Sequence, residues 1–215
     1  MKRFVFVLLI SFCVFTAQAQ SGIIREFTGD VQLKAANAAD FTPAQAGSRV
    51  AQDTVVSTGF RSTAIIEIGG NTITVRPLTR LTLAEISASE NTETVNVNLQ
   101  TGRVRVEVNP PAGTKTNTTV RGPSATASVR GTSFEMDARN LEVTSGNVRW
   151  SGNSGLSASV TAGFSGSIGI SNNIVDPIEI AESELTVTSP VGVGEAGETT
   201  GLVANDATTI DVEIR

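Results

Sequence analysis

Because the sequence contains no His, acid–base chemistry would fall to its 21 Asp and Glu, among which Asp30, Asp53, Glu67, Glu85, Glu135 and Asp137 are the six available as candidates. Glycosidases work with a pair of carboxylates and no imidazole, but nothing in the spacing of these six selects a pair. Without His there is no Ser-His or Cys-His nucleophile system, no imidazole base and no imidazole metal ligand. The one Cys, Cys13, lies in an N-terminal apolar run, which leaves the remainder without a thiol, a disulfide or a thiolate metal site. Gly192-Val193-Gly194-Glu195-Ala196-Gly197 has the spacing of a dinucleotide-binding loop. No helical pattern follows it, however, no strand–helix–strand unit surrounds it, and Glu195 and Glu198 would repel a pyrophosphate. Surfaces for stacking sugars are scarce, since there are nine Phe, one Trp and no Tyr; Phe134 and Trp150 are the candidates for a small cleft. Catalytic residues, cofactors and metals are therefore all expected to be absent.

The remaining polar chemistry belongs to arginine. Arg103, Arg105 and Glu107, with Arg149, are expected to form a charged face on neighbouring strands; cross-strand pairs contribute about 0.2–1 kcal/mol each, so a solvated ladder is the expectation. The stretch from Thr116 to Glu135 is denser in signals. It holds two Val-Arg-Gly triplets, Val120-Arg121-Gly122 and Val129-Arg130-Gly131, joined by small residues from Ser124 to Ser128 and closed by Phe134. Successive small side chains let another segment approach closely, and each Gly can turn or re-aim a strand. The stretch reads as strand, corner, strand. Asn117-Thr118-Thr119 fits a glycosylation sequon, a three-residue match too frequent by chance to carry weight.

Short strands must position these residues. Thr28-Gly29-Asp30 favours a turn between two short strands in Ile23 to Leu33, and Lys34 to Gly47, Ala-rich with Pro43, reads as a surface loop. Thr54 to Ser57, Thr63 to Ile68, Thr72 to Arg76 and Leu81 to Ile86 are β-branched runs separated by Thr58-Gly59, Gly69-Gly70-Asn71 and Pro77, at the spacing of all-β folds. Val95, Val97 and Leu99 oppose Asn96, Asn98 and Gln100, and Val104, Val106 and Val108 oppose Arg103, Arg105 and Glu107. Both runs are half-buried strands, joined by Thr101-Gly102. Further strands are expected at Thr118 to Arg121, Ala125 to Arg130, Ser133 to Asp137, Leu141 to Thr144 and Val148 to Ser151, with weaker ones at Ala158 to Thr161 and Ser167 to Ile170. No window carries a convincing helical apolar pattern; Leu83 to Glu90 comes nearest to a helical turn.

The termini have their own character. Lys2 and Arg3 precede the apolar run Phe4 to Phe15, which ends in Ala17-Gln18-Ala19, the pattern of a secretory signal peptide cleaved before Gln20. The run is shorter than the roughly 20 residues a spanning helix needs, so no transmembrane anchor is expected after cleavage. From Gln20 to Val175 there are 13 basic and 12 acidic residues, whereas Asp176 to Arg215 holds 9 acidic and 1 basic. This acidic extension, with strand candidates at Glu184 to Thr188 and Thr209 to Ile214, argues against a nucleic-acid partner and keeps an exported protein soluble.

Several pieces in order resemble the FecR-domain family of extracytoplasmic bacterial proteins. They are Gly29-Asp30-Val31; Gly47, Val50, Asp53, Val55, Thr58-Gly59 and Ser62-Thr63-Ala64-Ile65; Pro77, Thr79, Leu81 and Leu83; and Leu99, Gly102, Val104 and Val106. The run Ala125-Thr126-Ala127-Ser128-Val129-Arg130-Gly131-Thr132-Ser133-Phe134 is similar to the family's "A-x-A-x-V-R-G-T-x-F" signature. Gly69-Gly70-Asn71 replaces the Asp-Gly-Ser common in family hairpins and still suits a tight turn. Only Met1 to Arg3 precede the apolar run, so the cytoplasmic anti-sigma segment of the family's signal-relay regulators is not expected here. The resemblance implies an exported all-β domain that contacts other proteins. In the signature, Ala125, Ala127, Val129, Arg130, Gly131, Thr132 and Phe134 are expected to be structural. Arg130 is also the candidate for partner contact, its guanidinium otherwise satisfying backbone carbonyls or a carboxylate at a corner.

The expected organisation is a signal peptide at 1–19, an all-β domain at 20–175 and the acidic extension at 176–215. The domain is expected as a short-strand β-solenoid or flattened β-helix, with a two-sheet β-sandwich as the alternative, and with Val95, Val97, Val104, Val106, Val129 and Phe134 in one core. The functional expectation is a non-catalytic relay or scaffold module, periplasmic or secreted, whose partner is another envelope protein. A cell-wall or polysaccharide-binding module, with or without cleavage, is the alternative.

Overall fold

The computed structural model describes residues 20–89, 91–169 and 174–175. The expected signal peptide and the acidic extension, with its strand candidates and Gly-rich motif, lie outside the described residues. Within them the chain forms strands and no helix. In order these are β1 (Gly22–Thr28), β2 (Val31–Lys34), β3 (Thr42–Pro43), β4 (Arg49–Val50), β5 (Val55–Thr58) and β6 (Thr63–Ile68). Then come β7 (Asn71–Val75), β8 (Arg80–Ser89), β9 (Thr92–Thr101), β10 (Val104–Val108), β11 (Lys115–Arg121) and β12 (Ala125–Val129). The last six are β13 (Ser133–Met136), β14 (Asn140–Ser145), β15 (Asn147–Gly152), β16 (Ser157–Thr161), β17 (Ser165–Ile168) and β18 (Ile174–Val175).

They build two sheets, neither closed into a barrel. Sheet A has the order β18-β17-β14-β13-β10-β7-β6-β1-β4, and sheet B the order β16-β15-β12-β11-β9-β8-β5-β2-β3. Alternate side chains along most of the strands point into one core shared by both sheets, because successive Cβ atoms fall on opposite faces of a strand. Val95, Val97, Val104, Val106, Val129 and Phe134 are all in it. Pairs are antiparallel except β9 with β11, which is parallel. The architecture is thus an all-β, two-sheet domain in which the chain advances steadily along the sheets, as a solenoid does, while pairing mostly as a sandwich does.

The change of sheet is made at corners that share one construction. Gly29, Gly102 and Gly146 have φ of 74°, 88° and 80°, a region costly for residues with a Cβ. Each lies against a Ser or Thr of a neighbouring corner: a Cβ at Gly29 or Gly102 would overlap the hydroxyl of Ser62 or Thr79, and one at Gly146 would come within 2.7 Å of Thr132 Cγ2. At two corners the hydroxyl caps the amide that follows the glycine. Asp30 N donates to Ser62 Oγ at 2.8 Å, and Arg103 N donates to Thr79 Oγ1 at 2.9 Å. The family-like pieces that hold Gly29, Ser62, Thr79, Gly102 and Thr132 are therefore parts of these corners. Thr101-Gly102, expected to join two strands, and Ser145-Gly146-Asn147 both carry the chain from one sheet to the other.

Leu83 to Glu90 is not a helical turn. Leu83 to Ser89 belongs to β8, where a bulge between Leu83 and Glu85 inserts one residue. The extra residue lets Leu83 and Ile86 both face the core at a spacing of three, which imitates a helical period. The loop expected from Lys34 to Gly47 contains the short edge strand β3. Gly69 and Gly70 form a two-residue hairpin between β6 and β7, where Ile68 pairs with Asn71. Asn71 is buried and accepts from Thr118 Oγ1 of sheet B at 2.6 Å, while buried Glu93 accepts from Gly70 N at 3.1 Å. Polar links thus join the two sheets at this end.

Candidate functional site

The signature residues separate into two sets. Ala125, Ala127, Val129, Thr132 and Phe134 are buried. Ala127 is small because it lies on the core face between Val120 on one side and the fully buried Trp150 on the other. Gly131 turns the chain towards sheet A with φ of 70°. Arg130 is exposed and among the described residues meets neither the carbonyls nor the carboxylate expected of it; its Nε donates to the side-chain oxygen of Asn117 at 3.0 Å. Phe134 and Trp150 offer no stacking cleft, since both are inside the core.

Arg130 stands on the outer face of sheet B, where register aligns outward residues of β9, β11, β12, β15 and β16 in rows. One row is Asn98, Arg121, Thr126, Ser151 and Ser157; the next is Asn96, Thr119, Ser128, Arg149 and Ser159. The third runs from Thr94 and Asn117 past Arg130 to Asn147 and Thr161. Each row holds one arginine and no carboxylate. Arg121, Arg130 and Arg149 are exposed, and none forms an ion pair with a described residue. Their neighbours bond among themselves, as when Ser159 Oγ donates to Asn147 Oδ1 at 2.6 Å. An open groove of about 560 Å³ runs between Arg130 and Arg149, lined also by Asn117, Thr119, Ser128 and Asn147. A second depression, of about 340 Å³, shares Thr119 and continues to Arg121, Asn96 and Asn98. Its far wall is Glu85 of β8, which accepts from Asn96 Nδ2 at 2.5 Å.

The outer face of sheet A is built differently. Arg76 Nη2 lies 2.7 Å from Glu135 Oε2, Arg103 bridges Glu135 at 3.6 Å and Asp137 at 2.9 Å, and Arg105 pairs with Glu107 at 2.9 Å. Arg25 pairs with Glu67. Partial burial pushes the Asp137 carboxyl up, but the backbone N–H groups of Arg139 and Asn140, the Asn140 amide and the Arg103 guanidinium outweigh it and hold the group below its usual value. The hydrogen bond to Asp137 in turn raises Arg103, against partial loss of its hydration. Of the six candidate carboxylates, only Glu135 and Asp137 are brought together, and both are engaged by arginine. Arg149 does not join Arg103, Arg105 and Glu107, because β15 belongs to sheet B and β10 to sheet A.

Sequence reasoning missed Arg121 and Asn117 as members of the Arg130 surface. The outward phase of Lys115 to Arg121 was a signal for them, but their alignment with Arg130 and Arg149 depends on the parallel register of β9 with β11.

Fold and face together define an all-β, two-sheet domain with one internally compensated polar face and one open arginine-bearing face. The family model described as FecR protein matches residues 54–149, a little under half of the chain. The matched segment contains Arg121, Arg130 and Arg149. Crystal structures of a candidate anti-sigma factor from Parabacteroides distasonis ATCC 8503, at 1.65 and 2.50 Å resolution, are similar at 16% identity and a TM-score of 0.46. The similarity covers 56% of this chain and 57% of theirs, little more than half of either. No curated protein matches the chain.

Proposed function

We propose that this chain is a non-catalytic, exported FecR-domain module that binds another protein of the bacterial cell envelope, as a relay or scaffold component. The observation that carries this reading is the contrast between its faces. Arg25, Arg76, Arg103 and Arg105 on sheet A are neutralised by carboxylates of their own sheet, whereas Arg121, Arg130 and Arg149 on sheet B form no ion pair with a described residue, and two of them border an open groove. Charged groups left uncompensated on a flat face favour recognition and on-rate in an encounter with a complementary surface. The same groove offers no aromatic platform to a sugar, which sets the polysaccharide alternative second.

The reading is tested by retention from envelope extract on the immobilised chain, in parallel with a glycan array. One protein retained reproducibly is expected; a glycan or cell-wall polymer retained with no protein partner would overturn it. The exported part of the reading rests on the N-terminal pattern, and an intact mass beginning at Met1 instead of Gln20 would contradict it.

A further inference from the structure

We propose that the outer face of sheet B docks an extended, acidic segment of the partner protein, held by Arg121, Arg130 and Arg149. The inference rests on the envelope-partner reading and names the chemistry of that partner. Three features carry it. The first is charge: across β9, β11, β12, β15 and β16 the rows hold three arginines and no carboxylate, with Glu85 of β8 at their edge against Asn96, while on the opposite sheet Arg76, Arg103 and Arg105 are paired with Glu and Asp. A partner that supplies carboxylates completes here what Glu135 and Asp137 complete there.

The second feature is spacing. Successive rows are about 6.8 Å apart, because they are made of alternate residues of extended strands, and neighbouring strands are about 4.8 Å apart. Carboxylates at alternate positions of an extended segment repeat at the same interval as the rows. Such a segment, lying along the strands, meets one arginine per row. Arg149 and Arg130 stand one row and one strand apart, about 8 Å between Cα atoms, and Arg121 lies two rows from Arg130 on the adjacent strand, about 14 Å away. Each guanidinium can take a carboxylate through two parallel N–H donors.

The third is the company the arginines keep. Asn117, Thr119, Ser128 and Asn147 line the groove with neutral donors and acceptors, so a segment placed there finds partners for its backbone as well.

The test uses fluorescence anisotropy with a labelled peptide of alternating Glu and Thr, against the mature full chain. Three variants are compared: R121Q/R130Q/R149Q, R103Q/R105Q on sheet A, and R130A alone. The first is expected to weaken binding by about tenfold or more and the third to weaken it measurably, while the sheet A variant binds as the parent does and added salt weakens the parent's binding. Circular dichroism of each variant checks that the exposed substitutions leave the fold intact. No binding by the parent chain, equal loss in the sheet A variant, or tighter binding of a sulfated glycan or of phosphatidylglycerol vesicles than of the peptide would overturn the proposal. The partner reading is separated by repeating the extract retention with the triple variant. If the variant keeps the parent's partner, the docking surface is elsewhere and the reading stands; if the parent retains no protein, that reading itself has failed.

Discussion

At the scale of single residues, Asp137 shows how sheet A compensates its charges. It follows β13, and its Oδ1 accepts from the N–H groups of Arg139 and Asn140, both at 2.9 Å, while Oδ2 accepts from Arg103 at 2.9 Å. The folded carboxyl therefore releases its proton more readily than the unfolded one, whose ordinary value is 3.8. As pH falls through that range the unfolded chain binds the proton first. The stability Asp137 contributes is complete above the ordinary range, declines through it and is gone below the lowered value. In Asp137→Asn the amide oxygen can still cap the turn, so the charge is what is lost. This variant should be less stable than the parent near neutrality, and its urea midpoint should change less between about pH 6 and about pH 3. Midpoints that fall in parallel would show that other carboxylates set the acid limb. Arg130 differs from Arg103 in that its one hydrogen-bond partner among the described residues is an amide oxygen, which leaves its charge available to a partner.

At the scale of elements, the corners distinguish what was legible in the sequence from what was not. Alternation marked the strands and their inward faces, and Val95, Val97, Val104 and Val106 could be assigned to the core because period-two burial is a local property. Gly102 could be recognised as a turn, but not as a turn between sheets, since that depends on which strands later pair with β10. The bulge in β8 was hidden for a related reason, its spacing of three being set by register with β9. The arginine rows were illegible altogether, as they exist only once five strands are aligned. Thr79, by contrast, stands out in the family-like piece and has a clear structural task. Its hydroxyl accepts from Arg103 N, and its own amide donates to Thr58 Oγ1 at 3.0 Å. Thr79→Val, which keeps the shape and removes the acceptor, should cost about 1–3 kcal/mol in denaturant unfolding, with Thr79→Ser recovering most of it. Equal stability of the two variants would remove the hydroxyl cap from the account of the corner.

At the scale of the whole molecule, both sheets depend on one core. Val106 is completely buried on β10 between Ile73 of β7 and Phe134 of β13. An unpaired carboxylate there costs several kcal/mol against a total stability of about 5–15 kcal/mol, so Val106→Asp should abolish the cooperative thermal transition. An unchanged transition would contradict the shared core. The order of strands in the two sheets has a consequence for how the domain is made. From β5 onward, every strand adds to the outer edge of a sheet already begun, and none inserts between two earlier ones. The chain can therefore be zipped up in the direction of its synthesis, without reopening a finished pair. The cost is borne by the intermediate, which at each stage displays two unpaired edges at its growing end.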